Sequence, residues 1–158
     1  MDALKEHPAG EIVPLEPAEY SRCGVIWDME KNREQARRWY QELLEGNRSV
    51  FIFRRNGEWL AEIALVRDTG DPDYTVAGRR AYLSRLIVRP EYRRQGLGGR
   101  LVDFLAEKAR EEGFTELSLG VDDANTAALC LYRKKGFTRV LYEGEDQYGK
   151  YKKLLKIL

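Results

Sequence analysis

Arg93-Arg94-Gln95-Gly96-Leu97-Gly98-Gly99 follows an apolar run, Tyr82-Leu83-Ser84-Arg85-Leu86-Ile87-Val88, which Arg89-Pro90 closes. It opens onto an amphipathic stretch, Arg100 to Glu112. The run is partly alternating and partly continuous, as a buried central strand is. In the stretch that follows, Leu97, Leu101, Phe104, Leu105 and Ala109 recur at helical spacing, and Gly113 ends it. A glycine-rich turn between a strand and a helix start aims several backbone N–H groups at one point, backed by the positive end of the helix dipole. Glycine suits the place because a side chain would block an anion and because φ > 0 is expected there. Arg93 and Arg94 add positive charge. The turn predicts a diphosphate cradle, and the glycines interleaved among its arginines argue against a nucleic-acid patch.

The rest of the chain sets bounds on what such a cradle can serve. At 158 residues it suits one domain spanning 1–158, with about the first ten residues a flexible lead. A net charge of +1 supplies no field to draw the protein onto nucleic acid or an anionic membrane. Cys23 and Cys130 show no metal-ligand spacing and are expected as buried free thiols in a reducing compartment. His7 is the only histidine, which excludes a multi-histidine metal site and speaks against histidine-based nucleophilic catalysis. No apolar run reaches membrane-spanning length, and the N-terminus lacks the pattern of a signal peptide. A cytoplasmic protein is the expectation.

Outward from the central turn, the elements alternate in type. Glu11–Leu15 is expected as an edge strand because it holds Pro14. Ala18–Met29 and Arg33–Glu45 are expected as helices, the second stopped by Gly46-Asn47. Ser49–Arg54 and Trp59–Val66 flank Asn56-Gly57, a strong hairpin signal. Arg67–Arg80 is expected as a long loop. Beyond the central helix come a strand at Glu116–Val121, a helix at Thr126–Lys135 and a strand at Thr138–Tyr142. The tail, Tyr148–Leu158, suits either a final strand or a short amphipathic helix. This order predicts an α/β (α+β) fold, with a central β-α-β crossover inside an otherwise antiparallel sheet.

Two segments then carry a resemblance. Leu86-Ile87-Val88-Arg89-Pro90-Glu91-Tyr92-Arg93-Arg94-Gln95-Gly96-Leu97-Gly98 resembles motif A of the GNAT N-acetyltransferase superfamily, with Arg93, Gly96 and Gly98 at the diagnostic places. Asn125 to Phe137 is similar to the same family's N-x-x-A-x-x-L-Y-x-x-x-G-F segment. The two motifs in order, each in its expected structural context, are a specific signal. The resemblance implies a GNAT fold, a mixed and mostly antiparallel sheet of about six to seven strands flanked by about four helices. It also implies acetyl-CoA as cosubstrate, no metal, an amine acceptor and direct transfer without a covalent intermediate. By matched position, backbone N–H groups across Arg93, Arg94, Gln95, Gly96, Leu97, Gly98 and Gly99 would hold the pyrophosphate. Leu86, Ile87 and Val88 would pair with the pantetheine arm, and Asn125 would bond it. Tyr132 would protonate the departing thiolate. Asn125 and Tyr132 are seven residues apart, close to two helical turns, so they share a face. Relatives are often homodimers, and neither nucleic acid nor membrane is implied as a partner.

The resemblance lacks a general base. Relatives that acetylate protein N-termini carry a glutamate five positions before the asparagine, where this chain has Gly120; in histone-type relatives the glutamate aligns with Tyr82. Asp122 and Glu62 are the remaining candidates, although Asp122 also suits a helix entry and Glu62 a solvent-facing strand position. Asp28, Glu30, Glu34, Asp68, Asp71 and Asp73 are candidates to attract a cationic amine, or are ordinary loop charges. Trp27, Trp39 and Tyr40 line an acceptor pocket or pack the core. A non-catalytic acyl-CoA sensor, or a transferase of longer acyl groups, fits the same motifs.

Overall fold

The computed structural model describes residues 10–158, so His7 and most of the expected lead lie outside the described residues. β1 (Glu11–Pro14) pairs antiparallel with β2 (Arg48–Arg55), from Glu11↔Arg54 to Pro14↔Phe51. Between them, Pro17–Val25 forms a 3₁₀ helix where an α-helix over Ala18–Met29 was expected. The reason lies in the spacing. Tyr20, Cys23 and Ile26 recur every third residue, and side chains three apart align on a 3₁₀ helix. The next helix, α1 (Arg33–Glu45), ends where expected, on Gly46 at φ 81°, whose N–H returns to the Glu42 and Leu43 carbonyls.

β2 turns into β3 (Glu58–Val66) through Asn56 and Gly57, both at positive φ, the geometry of a two-residue type I′ hairpin. β4 (Arg80–Val88) leads through a short 3₁₀ turn at Pro90–Tyr92 into α2 (Leu97–Glu111). α2 begins three residues earlier than the expected Arg100, so Gly98 and Gly99 lie inside it. β5 (Glu116–Asp122) pairs parallel with β4 from Arg80↔Glu116 to Tyr82↔Ser118. α3 (Thr126–Lys134) is followed by β6 (Arg139–Asp146) and β7 (Gly149–Ile157). The tail is thus a strand. It pairs antiparallel with β5 along its length and with β6 through a second tight hairpin closed at Asp146↔Gly149.

The seven strands lie in the order β1-β2-β3-β4-β5-β7-β6, with the β4–β5 pair parallel and the crossover helix between them in sequence. By internal packing the chain divides into two compact units. One runs from the start of the described residues to Ala64 and includes Arg85–Leu101; the other is Leu65–Ser84 with Val102–Leu158. In the first, Leu15, Cys23, Ile26, Trp27, Ala36, Val50, Ile52, Trp59 and Ala64 form a buried cluster. In the second, Leu105, Leu117, Leu119, Phe137, Leu154 and Leu155 are fully buried. Cys130 is exposed, which corrects its expected burial: it points off the polar side of α3 while Cys23 belongs to the core.

Candidate functional site

The glycine turn belongs to the first unit. Its positive φ values fall at Arg94 (64°) and Gly96 (79°), while Gly98 and Gly99 are helical. A Cβ built on Gly96 meets nothing within 4 Å, so glycine serves the backbone conformation there and leaves the space in front of it open. The turn is tied down from its sides. Arg93 Nε donates to the Val88 carbonyl at 3.0 Å, Arg89 N–H donates to the Leu60 carbonyl at 2.9 Å, and the Arg55 guanidinium reaches Gln95 Oε1 at 3.3 Å. Buried Leu97 seats the first turn of α2, whose leading N–H groups have no carbonyl partner within the helix. Just before Leu86, Ile87 and Val88, which are half-buried, Arg85 takes φ 61° and interrupts the extended run of β4. Nothing in the sequence signals that interruption, because arginine seldom adopts a left-handed conformation.

Glu62 lies in the same unit and is not solvent-facing: it is 4% exposed. Every residue of β3 after Glu58 is buried, so alternation along the strand carries no information about which side chain faces water. Burial raises the Glu62 carboxyl to about 7, against the opposing pull of the Cys23 thiol, Arg85 and Arg48. Glu62 Oε1 and Trp27 Nε1 have no hydrogen-bond partner among the described residues. The Arg85 guanidinium lies 4.7 Å over the Trp27 ring and 5.2 Å over Trp39, and Arg48 lies 4.5 Å over Trp39. Trp39 therefore packs against the core and makes cation–π contacts, whereas Trp27, itself buried, also lines a cavity. Tyr40, Asp28 and Glu30 line a cavity of about 900 Å³ between the 3₁₀ helix and α1. Asp28 caps the Lys31 N–H and Glu30 pairs with Arg33, both local loop contacts. Glu34 is exposed on the first turn of α1.

The second unit holds a polar cavity of about 540 Å³. Asn125, Ala128 and Tyr132, all on one face of α3, line it, as the seven-residue spacing predicted. Asn125 also caps the helix, its Oδ1 accepting from Ala128 N–H at 3.1 Å. Tyr132 is 8% exposed, with Phe137 edge-on at 5.8 Å. Burial, and then the neighbouring Tyr82, push its phenol up to about 12, so it stays protonated at any working pH. Asp122 lines the cavity from the end of β5, exposed, and its carbonyl accepts the Asn125 N–H at 3.0 Å.

Across the cavity, the loop expected at Arg67–Arg80 is tightly held. Lys153 Nζ on β7 donates to Asp71 at 2.9 Å and Asp73 at 3.0 Å. Burial works against the Lys153 ammonium, but the two carboxylates outweigh it and hold the group above the usual lysine range. The Lys153 hydrogen bond and the Asp73 N–H in turn hold Asp71 below the usual carboxylate range. Asp68 caps the Gly70 N–H. Asp71 and Asp73 thus share one ammonium. Ser118 Oγ donates to the Tyr74 carbonyl at 2.6 Å, and the Tyr74 ring packs 4.5 Å from Tyr82. The Tyr74 hydroxyl fills the space where a side chain at Gly120 would stand. Neither the Tyr74 nor the Tyr132 hydroxyl makes a hydrogen bond to another described residue. Sequence reasoning missed Tyr74, Tyr82 and Lys153 as cavity residues, since only the fold brings them to α3.

Among the described residues no three His, Cys, Asp or Glu side chains are grouped to hold a metal ion. No described helix is long and apolar enough to cross a membrane. The family model described as "Acetyltransferase (GNAT) family" matches residues 12–137. A thialysine N-epsilon-acetyltransferase from Bos taurus is 42% identical over 62 residues, 39% of this chain and 36% of that protein. The [ribosomal protein bS18]-alanine N-acetyltransferase of Escherichia coli is 40% identical over 57 residues, 36% of this chain and 38% of that protein. The chain thus spans well under half the length of these curated relatives. Among solved structures, a GNAT family acetyltransferase from Elizabethkingia anophelis with acetyl-CoA bound superposes with a TM-score of 0.69 at 17% identity, covering 94% of this chain and 98% of the other. An N-acetyltransferase from Staphylococcus aureus gives 0.72 at 18% identity, covering 94% of this chain and 98% of the other. With a family model matched over most of its length and the same fold in these neighbours, the chain belongs to the GNAT acetyltransferase family.

Proposed function

We infer that the protein transfers an acetyl group from acetyl-CoA to a primary amine by direct attack within a ternary complex. One observation carries the reading: a phenol kept protonated and the Asn125 amide share one polar cavity, on the α3 face where the family motif places them. The turn from Arg93 to Gly99 supports the diphosphate end of the reading, because it combines open space at Gly96, cationic side chains and a helix N-terminus. Leu86, Ile87 and Val88 would offer backbone groups to the pantetheine arm and polarise the thioester carbonyl.

The amine nitrogen attacks the carbonyl carbon, the C–N bond forms, and the C–S bond breaks toward sulfur. Tyr132 then meets a thiolate whose conjugate acid has a pKa of about 8.5. Outright proton transfer from a phenol at about 12 runs uphill by roughly 3.5 pH units, about 5 kcal/mol. Tyr132 therefore acts chiefly as a hydrogen-bond donor that stabilises the leaving sulfur, with the proton drawn finally from water. Of the two carboxylates considered for removing the amine proton, Asp122 lines the cavity and Glu62 is sealed in the core.

A Tyr132→Phe protein is expected to release thiol at least about tenfold more slowly while binding coenzyme A as tightly, since one donor to developing charge is worth tenfold or more. Unchanged turnover would remove Tyr132 from that role. The missing carboxylate at Gly120 favours a second reading, a non-catalytic acyl-CoA sensor. Saturable coenzyme binding without thiol release on a broad amine panel would establish it in place of the first.

A further inference from the structure

Three costs meet at Arg85, in the first unit. Its backbone takes φ 61°, a left-handed conformation that strains any residue with a side chain. Its guanidinium is half-buried, and burial lowers its pKa from the usual arginine value. Its Nε is sealed from water without an acceptor, and among the described residues the guanidinium makes no hydrogen bond or salt bridge. The Trp27 and Trp39 rings, 4.7 and 5.2 Å away, attract the charge through their faces but give its N–H groups no lone pair. The nearby carboxylates offer little. Glu62 on β3 is the one that acts on Arg85, yet burial raises it to about 7, so near neutral pH about half of it carries no charge. Glu42 pairs with Arg48 at 2.9 Å, Glu30 pairs with Arg33 at 3.0 Å, and Asp28 accepts the Lys31 N–H.

We propose that Arg85 is a specificity-determining residue whose guanidinium receives a carboxylate carried by the acceptor, so that the site takes amines of the amino-acid or peptide-carboxylate class. The inference rests on the acetyl-transfer reading above and deepens it. Position gives the unbonded cation its meaning. Arg85 directly precedes Leu86, Ile87 and Val88, the backbone assigned to the thioester, and Ile87 packs against the same buried cluster that holds Trp27. A guanidinium offers parallel N–H donors in a plane that matches a carboxylate, and two aromatic neighbours limit the planes it can adopt. A bound carboxylate supplies the acceptor that the fold withholds and offsets the strain of the backbone. A strained, partly desolvated and unbonded cation is what a binding position looks like before its ligand arrives.

The size of the effect follows from the charge. A hydrogen bond to an ionised partner at a half-buried site changes affinity by about tenfold or more. Converting the carboxylate to its primary amide keeps the shape, removes the charge and sets an NH₂ donor against the guanidinium. The amide should therefore fall behind by at least about tenfold in kcat/KM, and added salt should narrow the gap.

The test uses the full chain, acetyl-CoA and matched pairs of acceptors: dipeptides and tripeptides with a free C-terminal carboxylate against their C-terminal amides, and ω-amino carboxylates against their primary amides. Thiol release is measured for both members of each pair. The carboxylate is expected to lead by at least about tenfold in at least one pair. Arg85→Gln should bring that ratio close to one, and Arg85→Lys, which keeps the charge but not the planar fork, should retain part of it. A merely structural role for Arg85 would slow both members alike and leave the ratio where it was. The comparison within the unmodified protein stands whether or not either variant folds. Equal use of both members of every pair, a preference that survives in Arg85→Gln, or acetylation of simple amines alone overturns this inference and leaves acetyl transfer standing. Coenzyme binding, read by calorimetry, with no thiol release on these pairs or on a broad amine panel overturns both.

Discussion

Replacing Glu62 with glutamine tests the burial at the centre of the first unit, and its magnitude can be worked from one side chain. In the unfolded chain this carboxyl titrates near 4.3. In the fold, burial raises it to about 7. Between those values the folded protein holds a proton that the unfolded chain has lost, so stability falls as pH rises through the window. The slope approaches about 1.4 kcal/mol per pH unit, and the accumulated loss is about 3 kcal/mol once pH passes about 7. Below about pH 4 the group is protonated in both states and contributes no such loss. Glutamine keeps the shape and cannot ionise. Urea titrations of both proteins from about pH 4 to about pH 8 give the difference in unfolding free energy, in which the other titrating groups cancel. That difference should rise in favour of Glu62→Gln by about 3 kcal/mol across the range, most steeply between about pH 5 and 7. Two curves that stay parallel from end to end would mean that the carboxyl is solvated or fully compensated by Arg85 and Arg48, and the argument from burial would fail.

Two further substitutions probe the elements that carry the motifs. Gly96→Ala should cost about 1 kcal/mol of stability, since Gly96 sits at φ 79° with open space in front of it; it should weaken coenzyme A binding by more than tenfold if the diphosphate occupies that space, as denaturation and calorimetry would show. Asn125→Ala removes the Ala128 cap and should lower stability by about 1 kcal/mol, whereas Asn125→Ser should recover most of that loss, both read by thermal or urea unfolding.

Where a signal was local, the residues announced the structure. Asn56-Gly57 forms the turn that such a pair demands, Gly46 and Gly113 end their helices, and Asn125 and Tyr132 meet on one face because helical spacing puts them there. Where a choice depended on the fold, the residues were mute. The tail satisfied two periodicities until β5 and β6 offered it partners on both sides. Glu62 looked like a surface residue because a charged side chain in a strand usually is one, yet β3 is covered on both faces.

Gly120 is the sharpest case of this division. Alone it shows only that a carboxylate is missing, and a missing group leaves every substitute open. In the fold it becomes a positive statement, because its empty side is filled by the Tyr74 hydroxyl, a group that can accept a hydrogen bond but is held protonated by burial.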